Sequence, residues 1–339
     1  MPDSFYNLVE TIKIKTDKVI FLGNCFLRLR SNLEDFVGLR YFSAPAIRAY
    51  TGQKVDFDLS CVSMKESGLS RDVLINFIDK TCRGQQFVDG YYVTDHFGEP
   101  IYLVSEGAKF FVFGENLEKV VWPYFVKYFL LIHSIKNDSL FLKAAAFSIK
   151  SRATLLLGRG SAGKTVFLSN MCLNGAEFIS NSHAIIRGER LYGVASSMRI
   201  RLAAWCEELF SKDQITPGIK SGEIIIDPYS VFKVNTRKAT EVKNICILDF
   251  KGPSIHKITK IPHKIAYDYA EQFSLGINVY RLEEDLLDFY KNQINLFSES
   301  YSEMKQKLKS LVEHCNCYYI SSDVLNPKYR EEITLLLSD

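Results

Sequence analysis

Residues 158–165 read Gly158-Arg159-Gly160-Ser161-Ala162-Gly163-Lys164-Thr165, a complete G-x-x-x-x-G-K-[ST] (Walker A) run. Such a run can hold a phosphate chain. Consecutive backbone N–H groups from Gly158 to Gly163 curl around the β-phosphate, and the glycines let the chain approach closely. Lys164 neutralises β/γ oxygens, and Thr165 offers its hydroxyl to Mg²⁺. The competing reading, a glycine-rich surface turn with a solvated lysine, gives no reason for the spacing.

A bound triphosphate also calls for a carboxylate near the magnesium ion, delivered by the end of an adjacent strand. Asp249 follows Ile245-Cys246-Ile247-Leu248, and Asp227 follows Ile224-Ile225-Ile226. Both have the right form for a metal-side role. Both also fit an ordinary acid at a strand-ending turn, Asp227 especially, because Pro228 follows it.

The elements that must position these residues are legible in part. Ala153–Leu157 reads as a strand entering the loop and Val166–Leu173 as the apolar face of a helix leaving it, with Gly175 at its end. Leu140–Ile149 is a second apolar run, joined to Ala153–Leu157 by a tight reversal at Lys150-Ser151-Arg152. Short strands are expected at 177–180, 184–187 and 191–194. The first 115 residues alternate short β-type runs with turns, among them Asp95-His96-Phe97-Gly98. Val120, Tyr124, Tyr128 and Ile132 mark one amphipathic helix over 115–135 that introduces the second domain. Beyond Tyr280 apolar stripes predict helices, followed by a strand at 317–320. The expected organisation is an N-terminal α/β accessory domain over 1–115, a nucleotide-binding domain over 116–270 and a mainly helical region over 271–339.

Composition bounds the remaining classes. At about 150 residues per domain, a chain of 339 residues with 47% hydrophobic and 24% charged residues can build one large or two medium cores. A net charge of +3 is too small to argue for a nucleic-acid or membrane partner. Neither a long apolar span nor an export signal is evident, which places the chain in the cytoplasm as an expectation. The eight cysteines sit mostly alone in apolar stretches and read as free thiols. His314-Cys315-Asn316-Cys317 lacks the second ligand pair of a zinc site.

The stretch from about Phe141 to Phe250 resembles the catalytic domain of the HPr serine kinase/phosphorylase family, whose core is shared with phosphoenolpyruvate carboxykinases. Three segments carry the likeness: Leu140–Ala146, Thr154–Thr165, and Asn174-Gly175-Ala176-Glu177-Phe178-Ile179-Ser180-Asn181. The resemblance implies an α/β fold with an HPr kinase C-terminal-like nucleotide-binding core, and ATP with Mg²⁺ as cofactors. It also implies two adjacent aspartates after the last segment, where this chain has Asn181 and Ser182. Neither can carry a negative charge, although the Asn181 carbonyl can still serve magnesium. His183 comes next and is the candidate general base. Arg199 and Arg201 share one side of an alternating stretch and could grip phosphate oxygens. Lys220 lies in a turn resembling the family's basic loop, within reach of a γ-phosphate. Solvated surface charge is the plain alternative for these three.

The function expected from the sequence is ATP-dependent phosphoryl transfer to a hydroxyl of a protein, peptide or small metabolite. A nucleotide-binding scaffold without turnover and a slow nucleotide hydrolase stand as alternatives.

Overall fold

The computed structural model describes residues 3–82, 85–88, 91–94, 100–201, 204–218, 222–235 and 239–338. The turn expected at 95–98 and Lys220 lie outside the described residues. The fold is mixed α/β and divides into two compact units, one of residues 1–21 with 25–129, the other of 22–24 with 130–339.

The first unit is built on β1 (Thr16–Leu22), β2 (Cys25–Ser31), β3 (Ile47–Ala49), β4 (Phe57–Ser63), β5 (Lys80–Cys82), β8 (Ile101–Glu106) and β9 (Lys109–Gly114), with β6 (Gln85–Val88) and β7 (Tyr91–Thr94) pairing apart. The sheet order is β3-β1-β2-β4-β9-β8-β5. Alternation decides the faces. In β2, Cys25, Leu27 and Leu29 are buried while Arg28 and Arg30 are only half-buried on the other side. There the helix Asp3–Glu10 inserts Phe5 among Phe77, Phe111 and Phe113.

The expected helix over 115–135 forms in three pieces. Helical turns at Glu118–Val120 and Lys127–Lys136 flank a wider π-type segment, Val121–Val126. Pro123 supplies the reason, since it has no N–H to donate and its ring displaces the preceding turn. The widening moves the buried face onto Val121, Trp122, Phe125, Val126 and Phe129, leaving Tyr124 and Tyr128 half-buried. The units divide within this segment, at 129/130, rather than at 115/116.

The second unit holds β10 (Leu140–Leu142), β11 (Ala145–Ile149), β12 (Arg152–Leu157), β13 (Glu177–Ser180), β14 (Ala184–Arg187), β15 (Arg190–Gly193), β19 (Thr240–Leu248), β20 (Lys257–Lys260) and β21 (Asn316–Ser321) in one sheet. A smaller sheet joins β16 (Met198–Arg201), β17 (Thr216–Pro217) and β18 (Glu223–Ile226). β12 runs parallel to β19, and β19 parallel to β21. Because β21 belongs to this sheet, residues 271–339 form part of the second unit, not a region of their own. β11 is antiparallel to both β12 and β13, so β13 also points the same way as β12.

Four strand ends therefore meet at one edge: Leu157, Ser180, Leu248 and Ser321. The helix Lys164–Leu173 covers one face with Phe167, Leu168, Met171 and Cys172, packed with Leu156, Leu248 and Ile320 in one core cluster. Burying each such side chain contributes roughly 1.5–3 kcal/mol, which fixes the loop 158–163 between two immobile elements.

Candidate functional site

The sheet edge that collects these strand ends is where α/β proteins place their ligands. The glycine-rich loop rises from β12 and re-enters the fold at the helix Lys164–Leu173, which Phe167 N–H opens by donating to the Gly163 carbonyl at 2.9 Å. Two glycines are required by geometry. A Cβ on Gly158 would stand 3.0 Å from the Leu248 carbonyl oxygen of the neighbouring strand, and Gly163 has φ +85°. Ser161 adopts φ +63° without a glycine's freedom, a strained conformation of the kind that clusters at ligand sites.

Lys164 folds back over the loop. Its Nζ donates to the carbonyls of Gly158 at 2.6 Å and Arg159 at 2.8 Å, so one of its three protons remains for another acceptor. Burial, with the nearby Lys143 ammonium, pushes its pKa down to about 8. Lys143 is itself lowered by burial. Among the described residues no carboxylate pairs with either lysine, so two cations share a half-buried edge without an anion. Lys143 occupies the break between β10 and β11, held by its N–H donating to the Ser274 carbonyl at 2.7 Å. Sequence reasoning missed it, because Leu140–Ile149 reads as one apolar run; the lysine interrupting that run was the available signal.

Asn181 and Ser182 follow β13 at the same edge and are half-buried. His183 is 2% exposed. Its Nε2 is hydrogen-bonded to the Tyr280 hydroxyl at 2.8 Å, and its ring stacks on Phe141 at 5.7 Å. Burial drives the Tyr280 phenol far above its ordinary range, so it stays protonated. The Lys143 ammonium lies 5.9 Å from the centre of the Tyr280 ring. Tyr280, in a region without any recognisable motif, thus links His183 to the lysine pair.

Asp249 lines a cavity of about 470 Å³ together with Arg159, Gly160, Ser161 and Ala162. Tyr319 donates to its Oδ2 at 2.9 Å, and Lys251 lies 3.6 Å away. Asp227 is used locally. Its Oδ1 accepts from Tyr229 N–H at 3.0 Å, capping the turn Pro228–Val231. Arg199 and Arg201 lie on the face of the small sheet opposite the buried Met198 and Ile200, and neither lines the cavities of about 150 and 470 Å³ at the loop. Thr165 sits half-buried in the first turn of the helix. The structure thus gathers the loop, Lys143, Asn181 and Asp249 at one edge.

Cys25, Cys61, Cys172, Cys206, Cys246, Cys315 and Cys317 are free and buried. No helix of the described residues is long and apolar enough to cross a membrane. No family model and no curated protein matches this chain.

Proposed function

We propose that this protein binds a magnesium–nucleoside triphosphate on the loop 158–165, in an HPr kinase-like core. The observation that carries this reading is the Lys143–Lys164 pair: two half-buried cations with no acid partner among the described residues, beside the glycine-rich loop. Like charges in a desolvated place are costly unless an anion joins them. A polyphosphate is that anion, since its oxygens accept both from lysines and from amides. Thr165, Asn181 and Asp249 are the oxygen donors at this edge that suit magnesium, which would neutralise the phosphate chain when bound.

Phosphoryl transfer to a hydroxyl is a second reading. It is favoured by the Asp249 carboxylate, which shares its cavity with Arg159–Ala162. Such transfer depends chiefly on positioning and charge stabilisation. Against it stand Asn181 and Ser182 in place of acids, and a His183 already engaged by Tyr280.

Titration calorimetry of the full chain with ATP–Mg²⁺ and GTP–Mg²⁺ tests the first reading: binding is expected, and failure of both to bind sinks it. Release or transfer of a labelled γ-phosphate, abolished by Asp249→Asn with the fold retained, would establish the second.

A further inference from the structure

The loop has two flanks, and the lysines occupy only one. Lys143 and Asn181 lie on the β11–β13 side, and the other flank is bounded by β19 and β21. A second cavity, of about 150 Å³, opens on that side. It is lined by Ala162 and Gly163 of the loop and by Val166 and Phe167 of the first helical turn. Trp205, Phe250 and the segment Ser322–Leu325 line it as well.

Its lining is apolar and aromatic except for Ser322 and Asp323. Asp323 is the one charged residue lining it among the described residues. A largely apolar cavity of this order has room for an aromatic ring. Both polar residues are engaged by neighbours. Asp323 Oδ1 accepts from Leu325 N–H at 3.0 Å, which orients the carboxylate. Ser322 is bound to His256 Nδ1 at 2.8 Å, and His256 stacks flat on Tyr329 at 4.0 Å and reaches Glu332 at 3.0 Å.

We infer that this cavity is the base subsite of the nucleotide, and that Asp323 makes it a guanine subsite; the inference rests on the proposed binding of a triphosphate at the loop. A carboxylate only accepts hydrogen bonds. Guanine presents two adjacent donors, N1–H and the exocyclic N2–H, to one carboxylate. Adenine presents one amino group beside the lone pair of N1, which a carboxylate repels. Trp205 and Phe250 supply faces for the purine, and Val166 and Phe167 hold its edge close to the loop.

The test uses the full chain with three Mg²⁺-loaded probes: inorganic tripolyphosphate, GTP and ATP. GTP is expected to bind at least about tenfold more tightly than either of the others, the loss usual for an unmade charge-assisted pair. Asp323→Asn keeps the oxygen that accepts from Leu325 N–H, so the turn survives. It should bring GTP down to the level of ATP and leave tripolyphosphate unchanged. Trp205 emission, read in a Trp122→Phe background, should respond to GTP and not to tripolyphosphate. If tripolyphosphate binds but ATP equals or exceeds GTP, or Asp323→Asn changes nothing, the guanine subsite is overturned and the phosphate site stands. If none of the three binds, the phosphate site falls and the subsite with it.

Discussion

The N-terminal sheet and the loop edge of the second sheet both draw cations out of water, on opposite terms. In the first, Arg28 makes two hydrogen bonds to Asp17, at 2.9 and 2.6 Å, and lies 3.6 Å from Asp58, while Arg30 pairs with Asp58 at 2.9 Å. Hydrogen bonding to Asp17 raises the Arg28 pKa, and its guanidinium also lies 3.6 Å above the Tyr50 ring. In the second, Lys143 and Lys164 have each other for company, and both are lowered. A cation that serves the fold brings its counter-charge in the sequence. A pair without one is poised for a counter-charge that arrives from outside.

The sharpest way to break this contrast is to remove a cation from the second group. Lys164→Ala is expected to weaken triphosphate binding about a hundredfold, the loss of a charge-assisted contact in a half-buried place. Stability of the unliganded protein should change little, because relief of a desolvated ammonium without a counter-ion offsets the loss of its two hydrogen bonds to the loop carbonyls. Calorimetry and thermal unfolding measure the two; a stability loss with affinity unchanged would reverse the assignment.

In the first group the signs exchange. Asp58 is 13% exposed at its side chain and serves two guanidinium groups, so Asp58→Asn should cost about 1 kcal/mol in urea unfolding. Triphosphate affinity should not move. A change in affinity would show that these arginines answer to the ligand as well.

The difference between the two groups also explains what the sequence could and could not disclose. The strand, loop and helix around Gly158–Thr165 were legible because their signals are local: glycine spacing, an apolar run before and a helical stripe after. Lys150-Ser151 was legible as a reversal for the same reason, and the structure gives both residues positive φ there. Lys143 was not, because its place depends on the Ser274 carbonyl, far along the chain. Asp323 was hidden likewise, since only the parallel pairing of β21 with β19 brings it beside the loop. His183 shows the reverse case. Its position next to Asn181 and Ser182 was legible, but its partner Tyr280 lies in a helix that local pattern could not connect to it. The shift of the 118–136 helix onto Trp122 and Phe125 followed from a single residue, Pro123, whose effect a simple periodicity does not include.

A finer test lies in the protonation of the lysine pair. Lys143→Met keeps the volume of the stem and removes one charge, so triphosphate affinity should fall about tenfold, less than for Lys164→Ala. The pH dependence carries the mechanism. Unliganded Lys164 loses its proton near pH 8, and a bound anion raises that value, so binding takes up a proton around and above pH 8. Affinity should therefore hold steady below that pH and decline above it. Without the Lys143 charge, Lys164 keeps its proton to higher pH, and the decline should begin later although the affinity is lower throughout. Unliganded stability moves the other way. The unfolded chain holds the lysine proton up to its ordinary value of 10.5, so stability should rise with pH between about 8 and that value. Calorimetry in buffers of differing ionisation enthalpy counts the proton directly. Zero uptake, with the same affinity profile in wild type and Lys143→Met, would show that the two lysines do not share one anion.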